Sequence, residues 1–444
     1  MRRRPILNSG RQMLVSAAAF SLVFLIGFAG QFTVFLVGSF PIGEIILVPL
    51  LPSLVAFNWR KVFRRDMIPV LGLMGLWLFG QVITDLIQRT PTADAMRGFA
   101  AIAFFAIDVV GVAALLRGNE RRKVAFFVGN ALGSMVAGTI RFLGTDIFWK
   151  FGISYGLMML AVIGSCYLYR RRMFVLTGSV FLLMVTVNLL FNYRSPILFA
   201  VLTMVLVLPV VPEQILGFRV LPRSGSFARI VVLAATALLA VFVAQRLVHW
   251  ATAKNLAGEV AQAKNLEQEE SKRGVLLGGR PEILVSSRAV MDSPIIGHGS
   301  WAKDARYAEM LNDIQVENGL PHSFEDIWGA EAGLIPSHSH LMQAWVWAGI
   351  LGAIFWVYVL ALVVKGIVVA ANQRPPMAPF YAWLLVLYVW AIPFSPFGST
   401  VRLLEAGTIV ILLDLLELRA PAARSLQAPR HVQLDRRFRS DGRR

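Results

Sequence analysis

The chain is organised by long apolar runs separated by short polar connections. The runs are roughly 16 to 24 residues long, the length an α-helix needs to cross a ~30 Å hydrocarbon core. A soluble helical protein would show shorter runs with an amphipathic stripe, and a transmembrane barrel would alternate apolar with polar positions. The pattern predicts about twelve transmembrane helices, over 13–35, 42–58, 67–87, 99–116, 124–142, 151–169, 174–191, 197–212, 230–248, 341–364, 378–393 and 401–418. One connection is far longer than the rest. The expected architecture is an all-α polytopic membrane protein, with helices 1 to 9 in residues 1–248, a long outer loop containing short helices in 249–340, helices 10 to 12 in 341–418, and a basic tail in 419–444.

Composition agrees: 57% of the 444 residues are hydrophobic and 16% charged, too few charges to cover a soluble surface. Cys166 is the single cysteine and lies in an apolar run, so the fold rests on neither a disulfide framework nor a thiolate metal site. Arg2, Arg3 and Arg4 precede the first apolar run without a small-residue cleavage pattern, which predicts an uncleaved anchor.

The net charge of +17 is unevenly placed. Basic residues gather in alternate connections: Arg2 to Arg11, Arg60 to Arg65, Arg117 to Lys123, Arg170 to Arg172, Arg219 to Arg229, Lys365 with Arg374, and the arginines from Arg419 onward. The positive-inside rule then puts both termini in the cytoplasm and the 249–340 loop outside, where acidic residues outnumber basic ones. The basicity therefore predicts orientation and contact with anionic membrane lipids, and no nucleic-acid partner. The tail reads as a lipid-facing disordered segment ahead of a partner-docking one. No internal repeat stands out, which disfavours transporters built from duplicated halves.

Three outward places concentrate polar groups. Asn192-Tyr193-Arg194-Ser195-Pro196 puts an arginine between two apolar spans, where it either snorkels to the interface or clamps an anion. Gly279-Arg280-Pro281-Glu282 opens a short amphipathic helix predicted over Glu282–Met291. Arg280 at that N-terminus suits a phosphate, which a guanidinium fork holds better than an ammonium. Arg288, two turns on, shares that face or pairs with Glu282. Pro336-Ser337-His338-Ser339-His340 precedes an apolar run. Two histidines at i and i+2 are too few for a metal site, so a general base or a helix cap is the choice left. Asp85, Arg89, Arg97, Arg141 and Arg402 lie near outer span ends; Glu44, Asp108, Glu405 and Asp414 fall inside spans, as functional groups or as buried partners of arginines.

Together these pieces resemble the O-antigen ligase and O-antigen polymerase superfamily of bacterial polysaccharide assembly. The resemblance rests on Tyr193-Arg194-Ser195, Gly279-Arg280, Asp292-Ser293-Pro294-Ile295-Ile296-Gly297-His298-Gly299, and His338-Ser339 followed by Gly349-Ile350-Leu351-Gly352. It covers roughly Arg194 to Gly352, and the amino-terminal half matches only in hydropathy. Counting back from Gly349 puts His338 in the register of the family histidine; Trp347 stands where the family often has an acid. The resemblance implies a GT-C-like fold in the bacterial inner membrane with a periplasmic active site. It implies a metal- and cofactor-independent, inverting glycosyltransferase. The donor would be an undecaprenyl diphosphate-linked glycan, and the acceptor lipid A-core or a second lipid-linked glycan. His338 would be the catalytic base, Arg194 and Arg280 would bind the diphosphate, and His340, Arg288, Glu282 and Asp85 would support them. Other polysaccharide-assembly proteins are further candidate partners.

Ligase and polymerase share these motifs. A single glycan block on lipid A-core would indicate the first and a ladder on the carrier lipid the second. From other classes, a lipid-linked oligosaccharide flippase would move labelled carrier without transfer, and a scaffold would tolerate any single substitution in the loop.

Overall fold

The computed structural model describes residues 7–35, 38–208, 280–317 and 333–418, with isolated positions between 235 and 254. The helices follow the apolar runs: α1 Leu7–Ala29, α2 Ile42–Val62, α3 Met67–Ile87, α4 Thr92–Leu116, α5 Glu120–Phe142, α6 Ser154–Arg170, α7 Phe174–Leu190 and α8 Arg194–Val207. Then come α9 Glu282–Asp292 and α10 Ala305–Glu317 in the loop, and α11 His340–Gln373, α12 Ala378–Phe394 and α13 Ser399–Glu417. Among the described residues, six helices are long and apolar enough to cross a membrane, and shorter apolar helices accompany them. The chain is a multi-pass membrane protein. The predicted span at 230–248 and the basic tail lie outside the described residues, as do Arg219, Arg223 and Arg229.

Two elements depart from the predicted spans. The first run is not helical to its end: α1 stops at Ala29, and Thr33–Phe35 (β1) pairs antiparallel with Ser39–Pro41 (β2). Thr33, Val34 and Phe35 favour a strand, and Gly30 and Gly43 let α1 and the start of α2 approach so closely that a Cβ at Gly43 would meet the Ile26 carbonyl oxygen. The second departure is in α11, which is two helices joined at Gly349, where φ is 64° and ψ is −157°. Only glycine adopts that backbone comfortably. Sixteen positions along a straight helix would separate two residues by roughly 24 Å, yet the rings of His340 and Trp356 are 4.8 Å apart. The chain therefore doubles back at Gly349, and residues 340–348 are a separate short helix laid against 350–373.

The end of the bundle opposite the loop carries a closed charge network. Arg117, 1% exposed, binds Asp66, Asp414 and Glu417, and Lys123 binds Glu120 and Asp414. Further in, Arg402 of α13 holds Glu44 of α2 through two hydrogen bonds of 2.8 and 2.7 Å, both side chains buried. The acids found inside predicted spans are thus mostly half of a buried pair, the arrangement that low dielectric demands.

Candidate functional site

At the loop end, the histidines of Pro336-Ser337-His338-Ser339-His340 separate completely. His340 is 1% exposed, with one ring nitrogen 3.1 Å from Glu405 and the other 2.6 Å from the Ser395 carbonyl. Trp356 and Phe397 enclose its ring. Between the two histidines, Ser339 caps α11 by accepting from the Met342 amide at 3.0 Å and donates to the Ile392 carbonyl at 2.9 Å. His338 is left pointing outward, 52% exposed, its Nδ1 4.0 Å from Glu282 Oε1. That separation is too long for a hydrogen bond and short enough for a rotamer adjustment to make one. The other Glu282 oxygen is buried without a hydrogen-bond partner among the described residues.

Two residues before Glu282 stands Arg280, outside the helix that Pro281 opens. Its charge reaches the Tyr193 hydroxyl in the turn between α7 and α8. Burial pushes that phenol above its ordinary value, while a hydrogen bond with Ser195 and the Arg280 charge pull it back. Arg194 follows as the first residue of α8, its Nε 3.4 Å from Asn192 Oδ1. From the other side of the turn, Lys150 lies 5.9 Å from the Tyr193 ring centre and 4.8 Å from that of Phe151. Lys150 belongs to a π-helical turn, Phe148–Ile153, fixed by the Trp149 indole, which donates to Asn188 and stacks on Phe191 at 4.4 Å. Lys150 is not among the residues singled out above; its signal in the sequence is Phe148-Trp149-Lys150-Phe151, interfacial residue types at the end of the connection between two predicted spans.

Residues 179–357 match the sequence profile of the O-antigen ligase family, from within α7 to the second half of α11. The chain carries an O-antigen ligase domain. Searched against curated proteins, the chain gives no match. The ligase domain spans Arg194, Arg280, Glu282, Arg288, His338 and His340, while Lys150 and Asp85 reach it from outside. Members of that family act on glycans.

The glycine motifs of the ligase domain have a mechanical reason. Gly297, at φ 87°, and Gly349 approach so closely that a Cβ on Gly349 would overlap the Ile295 carbonyl. The amides of His298 and Gly299 donate to the carbonyls of Val346 and Trp347, so the loop motif is clamped onto the break in α11. The outer turns of α3 grip the same loop with one polar face, Gln81, Thr84, Asp85 and Gln88, at the i, i+3, i+4, i+7 spacing of a helix stripe. Gln88 donates to the Gly297 carbonyl at 2.8 Å, Thr84 to that of Ile296, and Asp85 accepts from both the amide and the hydroxyl of Ser300 at 2.7 Å. Asp85 thus acts on the loop backbone. Arg288 pairs with Asp292, 3.2 Å away, and not with Glu282. Asp292 also accepts from the Tyr307 hydroxyl at 2.8 Å, tying α9 to α10.

Proposed function

We propose that this protein is an O-antigen ligase that moves a glycan from an undecaprenyl diphosphate carrier to a hydroxyl of lipid A-core at the periplasmic face of the inner membrane. The observation that carries the reading is the grouping, at one end of the bundle, of four segments far apart in sequence: Lys150 by the Tyr193 ring, Arg194 beside that tyrosine in the chain, Arg280 whose charge acts on the same phenol, and His338 beside Glu282. Cations grouped at a membrane interface suit a diphosphate, whose charge increases as the carrier leaves. Arg194, Arg280 and Lys150 would bind that leaving group.

His338 is the histidine with solvent access; His340 has both ring nitrogens engaged in a buried pocket. In this mechanism the acceptor hydroxyl attacks the anomeric carbon as the bond from that carbon to the diphosphate oxygen breaks. The proton goes to His338, the electron pair leaves with the carrier diphosphate, and configuration inverts. Glu282 would face the charge that His338 gains. No residue of the mechanism requires a metal or cofactor.

The test is transfer with purified protein, defined lipid-linked donor and two acceptors, lipid A-core and a second lipid-linked repeat. A single block on lipid A-core, lost in Arg280→Ala, is the expected result. A ladder on the carrier lipid would make the protein a polymerase, and movement of labelled carrier with no transfer would make it a flippase.

A further inference from the structure

Trp301 is the one aromatic residue with a positive φ, 48°, among the described residues. That backbone is strained for a bulky side chain and persists only where its surroundings impose it. Here both neighbours are pinned: Ser300 by Asp85, and Ala302 by its carbonyl accepting from the Ile335 amide at 3.0 Å. Trp301 is not part of the apolar core of the loop, built from Val285, Ala289, Tyr307 and Ile335 among others, against whose edge Trp347 packs. The strained backbone sets the Trp301 ring on Trp347, with centroids 4.4 Å apart and planes 33° apart, and leaves both rings partly exposed. Trp347 is held in turn, its carbonyl accepting from Gly299 and Gln81.

Lys303 bridges Leu334 and Ala302 bonds Ile335, so Trp301 comes opposite the stretch that leads to His338, three residues beyond Ile335. Glu282 approaches His338 from the first turn of α9, and Arg280 stands two residues before Glu282 in the chain.

We infer that Trp301 and Trp347 form a carbohydrate platform that binds the acceptor glycan and presents its hydroxyl to His338. Indole faces carry negative charge density and are broad, rigid and apolar, which matches the weakly positive C–H face of a sugar ring. A sugar stacked there keeps its hydroxyls on the rim, free to reach the base. The inference rests on the transferase reading for the presence of an acceptor.

The test uses full-length protein in nanodiscs and the deacylated lipid A-core oligosaccharide as probe, titrated calorimetrically without donor, alongside KM for each substrate. Trp301→Ala and Trp347→Ala should weaken oligosaccharide binding and raise acceptor KM roughly five- to twentyfold, with donor KM unchanged. Trp301→Phe and Trp347→Phe should restore most of it. Wild-type binding that needs the pair, without any transfer, would uphold the platform while removing the transferase reading. Normal acceptor KM and oligosaccharide affinity in the alanine variants would overturn the platform and leave that reading standing. Lowered thermal stability with both KM values moved alike, and no rescue by phenylalanine, would also overturn it and mark the rings as interfacial anchors or packing.

Discussion

Two clusters of charge at opposite ends of the same helices behave differently. At one end Arg117 is almost fully buried and binds three carboxylates, and Lys123 binds two. At the other end Arg280 has no salt-bridge partner among the described residues and its charge acts to lower the pKa of the Tyr193 phenol, while Lys150 lies 5.9 Å from the centre of the Tyr193 ring. Saturated charges fasten helices together; in the proposed mechanism the cations about Tyr193 instead hold an anion that comes and goes. The two histidines repeat the contrast two residues apart, one closed in by Glu405 and Ser395, the other open beside Glu282.

The comparison predicts which substitutions damage the fold and which damage only the chemistry. Arg117→Met takes one of the two cations from Asp414, which keeps Lys123, and the buried partner of Asp66, and should destabilise the protein by ~3 kcal/mol, read as thermal unfolding in detergent; a variant also carrying Asp414→Asn should regain part of it. Arg280→Ala should leave the melting temperature alone and lower kcat/KM by ~10²–10³, with Arg280→Lys recovering part. If Arg280→Ala instead melts like Arg117→Met, the contrast between the two ends fails. Asp85→Ala leaves the Ser300 amide and hydroxyl without an acceptor, at ~1–3 kcal/mol, and should expose the 296–300 loop to faster hydrogen exchange before activity is lost. Lys150→Ala should have the smallest effect, a rise in donor KM of about fivefold with acceptor KM unmoved.

Much of the bundle was legible because hydrocarbon imposes one rule: backbone groups must be satisfied within a helix, so apolar length and helix coincide. The exceptions lie where tertiary contact outweighs local pattern. Gly349 is readable as a motif glycine inside a predicted span; only its backbone and its contact with Ile295 and Gly297 show that the chain reverses there. Of the proposed site, Arg194, Arg280 and His338 are readable as motif residues, but not that the Arg280 charge acts on Tyr193, which needs two helices and the loop in place. Arg288 had two readable partners on its own helix, and only side-chain geometry picks Asp292. Gln81, Thr84, Asp85 and Gln88 were a readable stripe, yet an isolated polar face cannot say that it grips a loop more than two hundred residues away.

The central claim is that the exposed histidine performs the proton transfer while the cation cluster holds the donor. The most direct measurement is donor affinity and single-turnover transfer rate in the same preparation of His338→Ala. The account predicts wild-type affinity for the undecaprenyl diphosphate-linked donor and a transfer rate reduced by ~10²–10⁴. Transfer at the wild-type rate would contradict it.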